Sequence, residues 1–256
     1  MRKIILSGCC GRMGTVLSDC IDRREDCVVV AGIDTKSQPR PYPVFTQIGD
    51  CTMDADVLID FSNAKAMDTL LPYAEERKLP LVIATTGLSQ GHLRSVRTLS
   101  QKIPVFLSAN MSLGVNLLME LVGRAARVLG EEFDVEILEF HHNRKVDAPS
   151  GTAVALADVL QATLAHPTHR VYDRHGGQKA RDRSEIGIHS IRGGTIVGEH
   201  QVLFAGKDET LTLIHAATSR EVFATGAICA ALFLCQQQPG LYSMKDLLSG
   251  IYPERV

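Results

Sequence analysis

The chain has no tryptophan, few other aromatic residues and no long hydrophobic run. Without large rings, its core must consist mainly of aliphatic side chains. The apolar stretch in the N-terminal MRKIILSG ends at a glycine after a few residues, so it is too short for a signal peptide or a membrane-spanning helix. We therefore expect a soluble, cytoplasmic protein with no membrane partner.

Neither sign of charge is in excess. The 27 Lys and Arg residues oppose 29 Asp and Glu residues, which gives a formal net charge of -2. Sequence-independent binding to nucleic acid needs a broad basic field, and this balance does not supply one. We therefore expect no nucleic-acid partner.

The seven cysteines are odd in number and contain no C-x-x-C pair. They fall in segments that resemble a phosphate-binding loop, a core strand and apolar helices. Reduced structural thiols are the expected state in the cytoplasm, and the spacing does not indicate zinc. We expect no metal site.

The first 110 residues alternate short apolar runs with amphipathic stretches, a pattern typical of a parallel sheet wrapped by helices. The predicted strands are Lys3–Ser7, Val28–Ile33, Val57–Phe61, Leu81–Ala84 and Pro104–Leu107. The predicted helices are Met13–Arg23, Ala64–Arg77 and Gln90–Gln101. This order predicts a doubly wound α/β domain.

The pattern changes after Asn110, where helices are followed by several strands in succession. The predicted helices are Leu113–Leu129, which Ser112 can cap, and Gly151–Leu164. The predicted strands are Val135–Phe140, Ile186–Ile191, Thr195–Ala205 and Thr210–Thr218. Successive strands favour an antiparallel or mixed sheet, so we expect a second, α+β domain over residues 113–220. The apolar helix after Glu221 could pack on either domain.

The first chemical motif is GCCGRMG at Gly8–Gly14, between a predicted strand and a predicted helix. Asp34 ends the next strand, at the spacing typical of an acidic residue that binds a ribose hydroxyl. The glycines let backbone amides approach a pyrophosphate at the helix N-terminus. The motif predicts a dinucleotide site; the alternative is a tight strand-to-helix turn without a ligand.

The second motif is EFHHNRKVDAPSGTA, from Glu139 to Ala153. A histidine can donate a proton near neutral pH, a lysine supplies positive charge, and the amides after Ser150 open a helix that can hold an anion. These parts suit a site that binds a carboxylate substrate and protonates it during reduction.

Other interpretations of this motif are open. Adjacent histidines in a strand point to opposite faces, so a shared metal is geometrically awkward. One histidine could be purely structural, and the residues alone do not say which. Ser150 could be a nucleophile, but it lacks a G-x-S-x-G turn, so a role as helix cap is the better interpretation.

The segment HHNRKVDAPSGTA at 141–153 resembles the signature of dihydrodipicolinate reductases, and GCCGRMG resembles their glycine loop. The resemblance continues through ATTG at 84–87, SANMSLGVN at 108–116, RGGTIVGEH at 192–200 and TSR at 218–220. It implies an NADH- or NADPH-dependent reductase that acts on a cyclic imine dicarboxylate on the route to diaminopimelate and lysine.

The resemblance also implies a homotetramer. Its Rossmann-type, dinucleotide-binding domain would span residues 1–112 and 221–256, and its central domain, residues 113–220, would bind substrate and form the tetramer. By this analogy His141 and Lys145 are catalytic. The implied substrate-binding residues are His142, Gly151, Thr152, Thr86 and Arg220. The implied cofactor-binding residues are Gly8, Cys9, Cys10, Gly11, Arg12, Met13, Asp34, Lys36, Ala84, Thr85, Thr86, Ser108, Ala109, Asn110 and Met111.

The segment after the second strand gives mixed indications about cofactor choice. Asp34 suits the ribose of NADH and repels the 2′-phosphate of NADPH, and Thr35 stands where some family members carry arginine. Lys36 and Arg40 could still meet that phosphate. We expect use of both cofactors, with at most about a tenfold preference, in favour of NADH.

Two other functions remain possible from the sequence. One is a Rossmann-fold reductase for a different imino or keto acid, which would need a different anion site. The other is a dinucleotide sensor without catalysis, for which the His-His-x-x-Lys cluster would have no evident use.

Overall fold

A computed structural model describes residues 1–36, 38–175 and 179–251. The strands, in chain order, are β1 (Arg2–Ser7), β2 (Cys27–Ile33), β3 (Val44–Phe45), β4 (Val57–Asp60), β5 (Leu81–Ile83), β6 (Pro104–Leu107), β7 (Asp134–His141), β8 (His169–Val171), β9 (Glu185–Arg192), β10 (Gly198–Ala205), β11 (Thr210–Ala217) and β12 (Gly240–Tyr242). The helices are α1 (Arg12–Asp22), α2 (Met67–Glu76), α3 (Gln90–Ser100), α4 (Leu113–Leu129), α5 (Gly151–Thr163), α6 (Glu221–Leu234) and α7 (Met244–Ile251).

The chain divides into two compact units. Unit 1 comprises Met1–Leu113 and Arg220–Val256, and unit 2 comprises Gly114–Ser219. None of the helices in the described ranges combines the length and the apolar character that crossing a bilayer requires.

Unit 1 contains a seven-stranded sheet in the order β12-β6-β5-β4-β1-β2-β3, and all its pairings are parallel. Alternate residues of β1 enter different cores: Ile4 and Leu6 pack with α1 and α6, whereas Ile5 packs with α2 and α3. Side chains of successive strand residues point to opposite faces, so both faces are covered by helices. The predicted doubly wound sheet is confirmed.

The C-terminal segment completes unit 1. Helix α6 is nearly all apolar, and its Ala227 and Ala231 are fully buried in the same core as Ile4. Gly226 allows close packing there, because a Cβ at this position would lie 1.7 Å from the Met111 carbonyl oxygen. Strand β12 then adds to the sheet beside β6.

Unit 2 contains a five-stranded sheet in the order β11-β10-β7-β9-β8. Strand β10 pairs antiparallel with β7 and β11, whereas β9 pairs parallel with β7 and β8. The predicted mixed sheet is therefore confirmed. Helices α4 and α5 cover one face, where Leu118, Val122, Leu156 and Leu160 pack with Ile137.

Strand β7 alternates half-buried and buried residues along its whole length. Its buried face begins with Val135 and Ile137 and continues with Glu139 and His141. The face thus changes from apolar to ionisable at the carboxyl end of the strand. Buried ionisable groups need partners, so this end of β7 is a candidate for a functional site.

Candidate active site

The turn between β1 and α1 depends on glycines. Gly8 has a φ of +78°, and a Cβ there would lie 2.7 Å from the Phe61 carbonyl oxygen. A Cβ at Gly14 would lie 2.0 Å from the Gly8 carbonyl oxygen. The turn is closed by a hydrogen bond from the Gly11 amide to the Gly8 carbonyl at 3.0 Å. A side chain at either Gly8 or Gly14 would force the backbone apart.

This turn leads directly into the N-terminus of α1. Gly11 is the N-cap residue and contributes no side-chain hydrogen bond, and Arg12 and Met13 form the first helical turn. The first amides of a helix lack intrahelical partners and carry the positive end of its dipole. The geometry therefore suits a phosphate at this point.

Asp34 follows β2 and lies against the glycine turn. Its Oδ2 accepts a hydrogen bond from the Cys10 amide at 2.9 Å, and its Oδ1 accepts one from the Lys36 amide at 3.1 Å. A carboxylate oxygen has more than one acceptor site, so both oxygens can accept further bonds from ribose hydroxyls.

A cavity of about 900 Å³ opens beside the turn, within unit 1. Gly8, Gly11 and Asp34 line it, together with residues that the sequence analysis did not select. These include Thr46, Gln47, Phe61, Ser62, Asn63 and Lys65; Thr35, which the sequence indicated only for cofactor choice, also lines the cavity. The volume lies in the range typical of cofactor pockets.

The other predicted cofactor residues follow the neighbouring strands. Ala84–Thr86 come after β5 and Ser108–Met111 come after β6, where the Ser108 amide donates to the Ile83 carbonyl at 3.1 Å. Strands β1, β4, β5 and β6 are adjacent and parallel, so these segments share the carboxyl edge of the sheet with the glycine turn.

In unit 2, Glu139 is the centre of a buried network. It is fully buried, and Arg192 binds both its carboxylate oxygens at 2.7 Å. The Ser150 amide donates to Oε1 at 3.1 Å, and His141 Nδ1 lies 2.6 Å from Oε2. Arg192 reaches Glu139 because it is paired in register with His141 on the neighbouring strand β9.

The network fixes the protonation of both groups. Burial alone would favour the neutral acid, but hydrogen bonds from Arg192, Ser190 and His141 lower the pKa of Glu139 to about 2. Glu139 is then a carboxylate at neutral pH, so His141 Nδ1 must be the donor to it. Nε2 is left as the His141 nitrogen that can exchange a proton with a ligand.

The surroundings of His141 set its acidity. Burial lowers the pKa of His141, and the bond to Glu139 opposes this effect. Gly198 leaves room at Nε2, because a Cβ there would lie 3.1 Å from that atom. The ring of His200 packs edge-on against His141 with centroids 5.2 Å apart. Burial lowers the pKa of His200 to about 4, so this neighbour is neutral and does not repel an imidazolium.

Lys145 lies four residues beyond His141, in the turn before α5. Its Nζ pairs with Asp147 Oδ1 at 2.9 Å, and its side chain is largely buried. His142, on the other side of the strand end, is half-buried, and its Nδ1 has no hydrogen-bond partner in the part of the chain that the structure describes.

Ser150 caps α5, as the sequence predicts. Its Oγ accepts from the Ala153 amide at 3.2 Å and is hydrogen-bonded to His200 Nε2 at 2.9 Å. The cap places Gly151 and Thr152 in the first turn of the helix, with Gly151 exposed. The Ser150 amide also binds Glu139, so the helix N-terminus and the histidine are attached to the same carboxylate.

The structure divides the predicted substrate residues between the units. His142, Gly151 and Thr152 belong to unit 2 with His141 and Lys145, whereas Thr86 and Arg220 belong to unit 1 and are exposed. Sequence reasoning assigned no role to Glu139, Arg192, His200 or Gly198. Two of these, Arg192 and His200, were visible only as the ends of the RGGTIVGEH block.

Comparison with protein families gives the same match at both ends of the chain. Residues 2–111 match the family model for the N-terminus of dihydrodipicolinate reductase, and residues 114–248 match the model for its C-terminus. Together the two models cover nearly the whole sequence.

Individual proteins that are similar to this chain are reductases of the same family. The chain is 50% identical over 248 residues to the 4-hydroxy-tetrahydrodipicolinate reductase of Caldanaerobacter subterraneus subsp. tengcongensis, covering 97% of this chain and 98% of that one. It is 47% identical over 246 residues to the enzyme of the same name from Staphylococcus saprophyticus, covering 96% and 100%. Among solved structures, the dipicolinate-bound dihydrodipicolinate reductase from Paenisporosarcina sp. TG-14 superposes with a TM-score of 0.82 at 26% identity, covering 95% and 97%.

Proposed function

The chain belongs to the dihydrodipicolinate reductase family, and from this premise we propose that it is a 4-hydroxy-tetrahydrodipicolinate reductase. It is an NAD(P)H-dependent oxidoreductase that reduces the cyclic imine dicarboxylate to tetrahydrodipicolinate, in diaminopimelate and lysine biosynthesis. The observation that carries the proposal is the attachment of His141 and the N-terminus of α5 to one buried carboxylate, Glu139. A proton donor and an anion site are thereby held together.

Unit 1 is the proposed dinucleotide-binding domain. Gly8 to Met13 hold the pyrophosphate at the start of α1, Asp34 binds the adenosine ribose, and the cavity beside them receives the adenosine. Ala84–Thr86 and Ser108–Met111 bind the nicotinamide half. When bound, the reduced nicotinamide supplies hydride. The lack of room for a Cβ at Gly8 and Gly14 supports this fit.

Unit 2 is the proposed substrate-binding and oligomerisation domain. Gly151 and Thr152, at the positive end of α5, hold one substrate carboxylate, and Lys145 and His142 contribute charge and hydrogen bonds. By the family resemblance, Thr86 and Arg220, which belong to unit 1, are also proposed as substrate-binding residues. The Paenisporosarcina reductase binds dipicolinate, a planar dicarboxylate, and this supports a site of the same kind in the present chain.

Proton delivery is assigned to His141, assisted by Lys145. Burial favours neutral His141 in the free protein, but a dianionic ligand beside it would raise its pKa and favour the imidazolium. Glu139 stabilises that charged form through Nδ1, so that Nε2 carries the proton to be transferred. Substrate binding would therefore favour the protonated form of His141, which is the proton donor.

The test of the function is oxidation of NADH or NADPH with the product of dihydrodipicolinate synthase, generated in a coupled assay. Turnover with this imine and none with simple keto acids is expected. Turnover with a keto acid alone would favour the second reductase hypothesis. Cofactor binding without turnover of any such acid would favour the dinucleotide sensor.

We also propose a cytoplasmic homotetramer assembled through unit 2. Apolar side chains are exposed on two of its elements: Leu117, Leu121 and Val128 on α4, and Leu211 and Ile214 on β11. Leu117 and Leu121, four residues apart, share one face of α4, and an exposed apolar face of this kind favours an interface. Light scattering should give the mass of four chains, and the mass of one chain at assay concentration would contradict the assignment.

A further inference from the structure

Two thiols and a carboxylate converge at the turn between β1 and α1. Cys9 Sγ and Cys10 Sγ lie 3.7 Å apart. These sulfurs and an Asp34 carboxylate oxygen all lie within 4.8 Å of one another. The Cys10 amide holds Asp34 in place through its bond to Oδ2. The sequence-based expectation of no metal rested on C-x-x-C spacing and on the histidine pair, and neither describes this group.

The spacing of the donors matches a tetrahedral thiolate site. Zinc binds thiolates at about 2.3 Å in tetrahedral geometry, which places two sulfurs about 3.8 Å apart. The observed sulfur separation therefore needs almost no adjustment, whereas the Asp34 oxygen, within 4.8 Å of both sulfurs, would have to move closer to bind the cation. Thiolate ligands select soft or borderline cations over magnesium or calcium.

The environment permits entry and requires proton release. Cys9 is fully buried against Gly32, whereas Cys10 is partly exposed and gives a route from solvent. Both thiols would lose their protons to solvent as the two metal–sulfur bonds form, so binding should strengthen as pH rises.

We propose that Cys9, Cys10 and Asp34 bind a thiophilic divalent cation of the zinc and cadmium class, and that this cation excludes the dinucleotide. Exclusion follows because the cation would occupy the carboxylate that accepts from the ribose and would cross-link the turn that holds the pyrophosphate. The exclusion rests on the proposed cofactor site, whereas the cation binding does not.

The binding is tested with cadmium, because cadmium–thiolate bonds give an ultraviolet charge-transfer absorption. The full chain, reduced and free of cofactor, is titrated with Cd²⁺. We expect one tight equivalent per chain, with loss of the absorption in Cys10→Ser and retention in Cys229→Ser, which changes another partly buried thiol of unit 1. No absorption in the unmodified chain, or an equal one in Cys10→Ser, would overturn the proposal.

Further measurements test the role of Asp34 and the exclusion of the dinucleotide separately. Asp34→Asn keeps both thiols, so it should retain the absorption but need more Cd²⁺, and circular dichroism shows whether each variant is folded.

NADH should raise the Cd²⁺ concentration needed for half-saturation. An unchanged NADH Kd in the cadmium-loaded chain would overturn the exclusion. Failure of the cofactor assignment would show differently, as absent NADH binding with the cadmium absorption intact.

Discussion

The candidate site in unit 1 is built mainly from backbone, whereas the candidate site in unit 2 is built from side chains. Around the glycine turn, the decisive feature is the absence of Cβ atoms at Gly8 and Gly14. Around Glu139, the decisive feature is a buried carboxylate with charged and polar partners from two strands and a helix N-terminus. Cofactor binding by unit 1 should therefore be sensitive to substitutions that add atoms to the glycine turn. Catalysis by unit 2 should be sensitive to substitutions that remove charge around Glu139.

The largest effect should follow from adding one methyl group in unit 1. Gly14→Ala would place Cβ 2.0 Å from the Gly8 carbonyl oxygen and 2.7 Å from Cys9 Cα, so the turn must open. We expect loss of measurable NADH binding by fluorescence titration. Gly91→Ala is the matched control, because its Cβ would meet Ser89 Oγ at 3.5 Å, an ordinary contact. If Gly14→Ala bound NADH with native affinity, the absence of a Cβ at this position would not be what permits cofactor binding.

The corresponding change in unit 2 removes charge without removing volume. Glu139→Gln takes away the group that opposes the effect of burial on His141, so the pKa of His141 should fall further. A proton donor with a lower pKa is deprotonated earlier, and the alkaline decline of kcat should move to lower pH. We expect kcat at neutral pH to fall by ~100-fold, a size typical of general acid catalysis.

The control for this variant is Glu199→Gln on the neighbouring strand, where the carboxylate is bonded to Gln201 rather than to a histidine. Its pH profile should match that of the unmodified chain. If Glu139→Gln also leaves the profile unmoved, Glu139 does not act through His141.

Most of the longer elements of both units were predictable, because long apolar runs with a clear period define them, but helix α7 (Met244–Ile251) was not predicted. Strand β6 and helix α4 have the predicted bounds. Strands β3, β8 and β12, each two or three residues long, were not predicted. So short a segment has too few residues to show a period of two, and its pairing depends on its neighbours. Among strands this short, β5 was predicted, because it lies in a longer apolar run.

The two candidate sites also differ in how far the sequence could predict them. The glycine turn lies in seven consecutive residues, so its motif is visible in the sequence. Glu139 meets Arg192 and lies in register with His200 only because β9 and β10 pair with β7. No short stretch of sequence shows how β9 and β10 align with β7, so the roles of Arg192 and His200 could not be found from the sequence.

A smaller effect is expected at the helix N-terminus of unit 2. Thr152→Val removes a hydroxyl at constant volume, and we expect inhibition by pyridine-2,6-dicarboxylate to weaken by about tenfold, or about 1.4 kcal/mol. Thr163→Val, at the other end of α5, should leave the inhibition constant unchanged, because that hydroxyl donates to the Val159 carbonyl within its own helix. Equal inhibition of Thr152→Val and the unmodified chain would place the anion elsewhere.

The smallest effect concerns cofactor choice in unit 1. Arg40 is held by Thr15 at 2.6 Å, which leaves Lys36 as the better candidate to meet the 2′-phosphate of NADPH. An exposed contact is worth about 1 kcal/mol, so Lys36→Ala should lower kcat/KM for NADPH about fivefold and leave NADH unchanged. Lys245→Ala serves as the control. A selective loss with NADH instead, or a preference for NADPH above ~100-fold in the unmodified chain, would contradict this interpretation.

The most direct test of the account is kcat and NADH affinity measured together in His141→Gln, with Lys145→Ala measured in parallel. Glutamine can still donate to Glu139, but it cannot supply an acidic proton to the substrate. The account predicts that kcat falls by at least ~100-fold while the Kd for NADH stays within about twofold, because His141 belongs to unit 2. A His141→Gln protein with near-native kcat, or one that loses NADH binding, would contradict it.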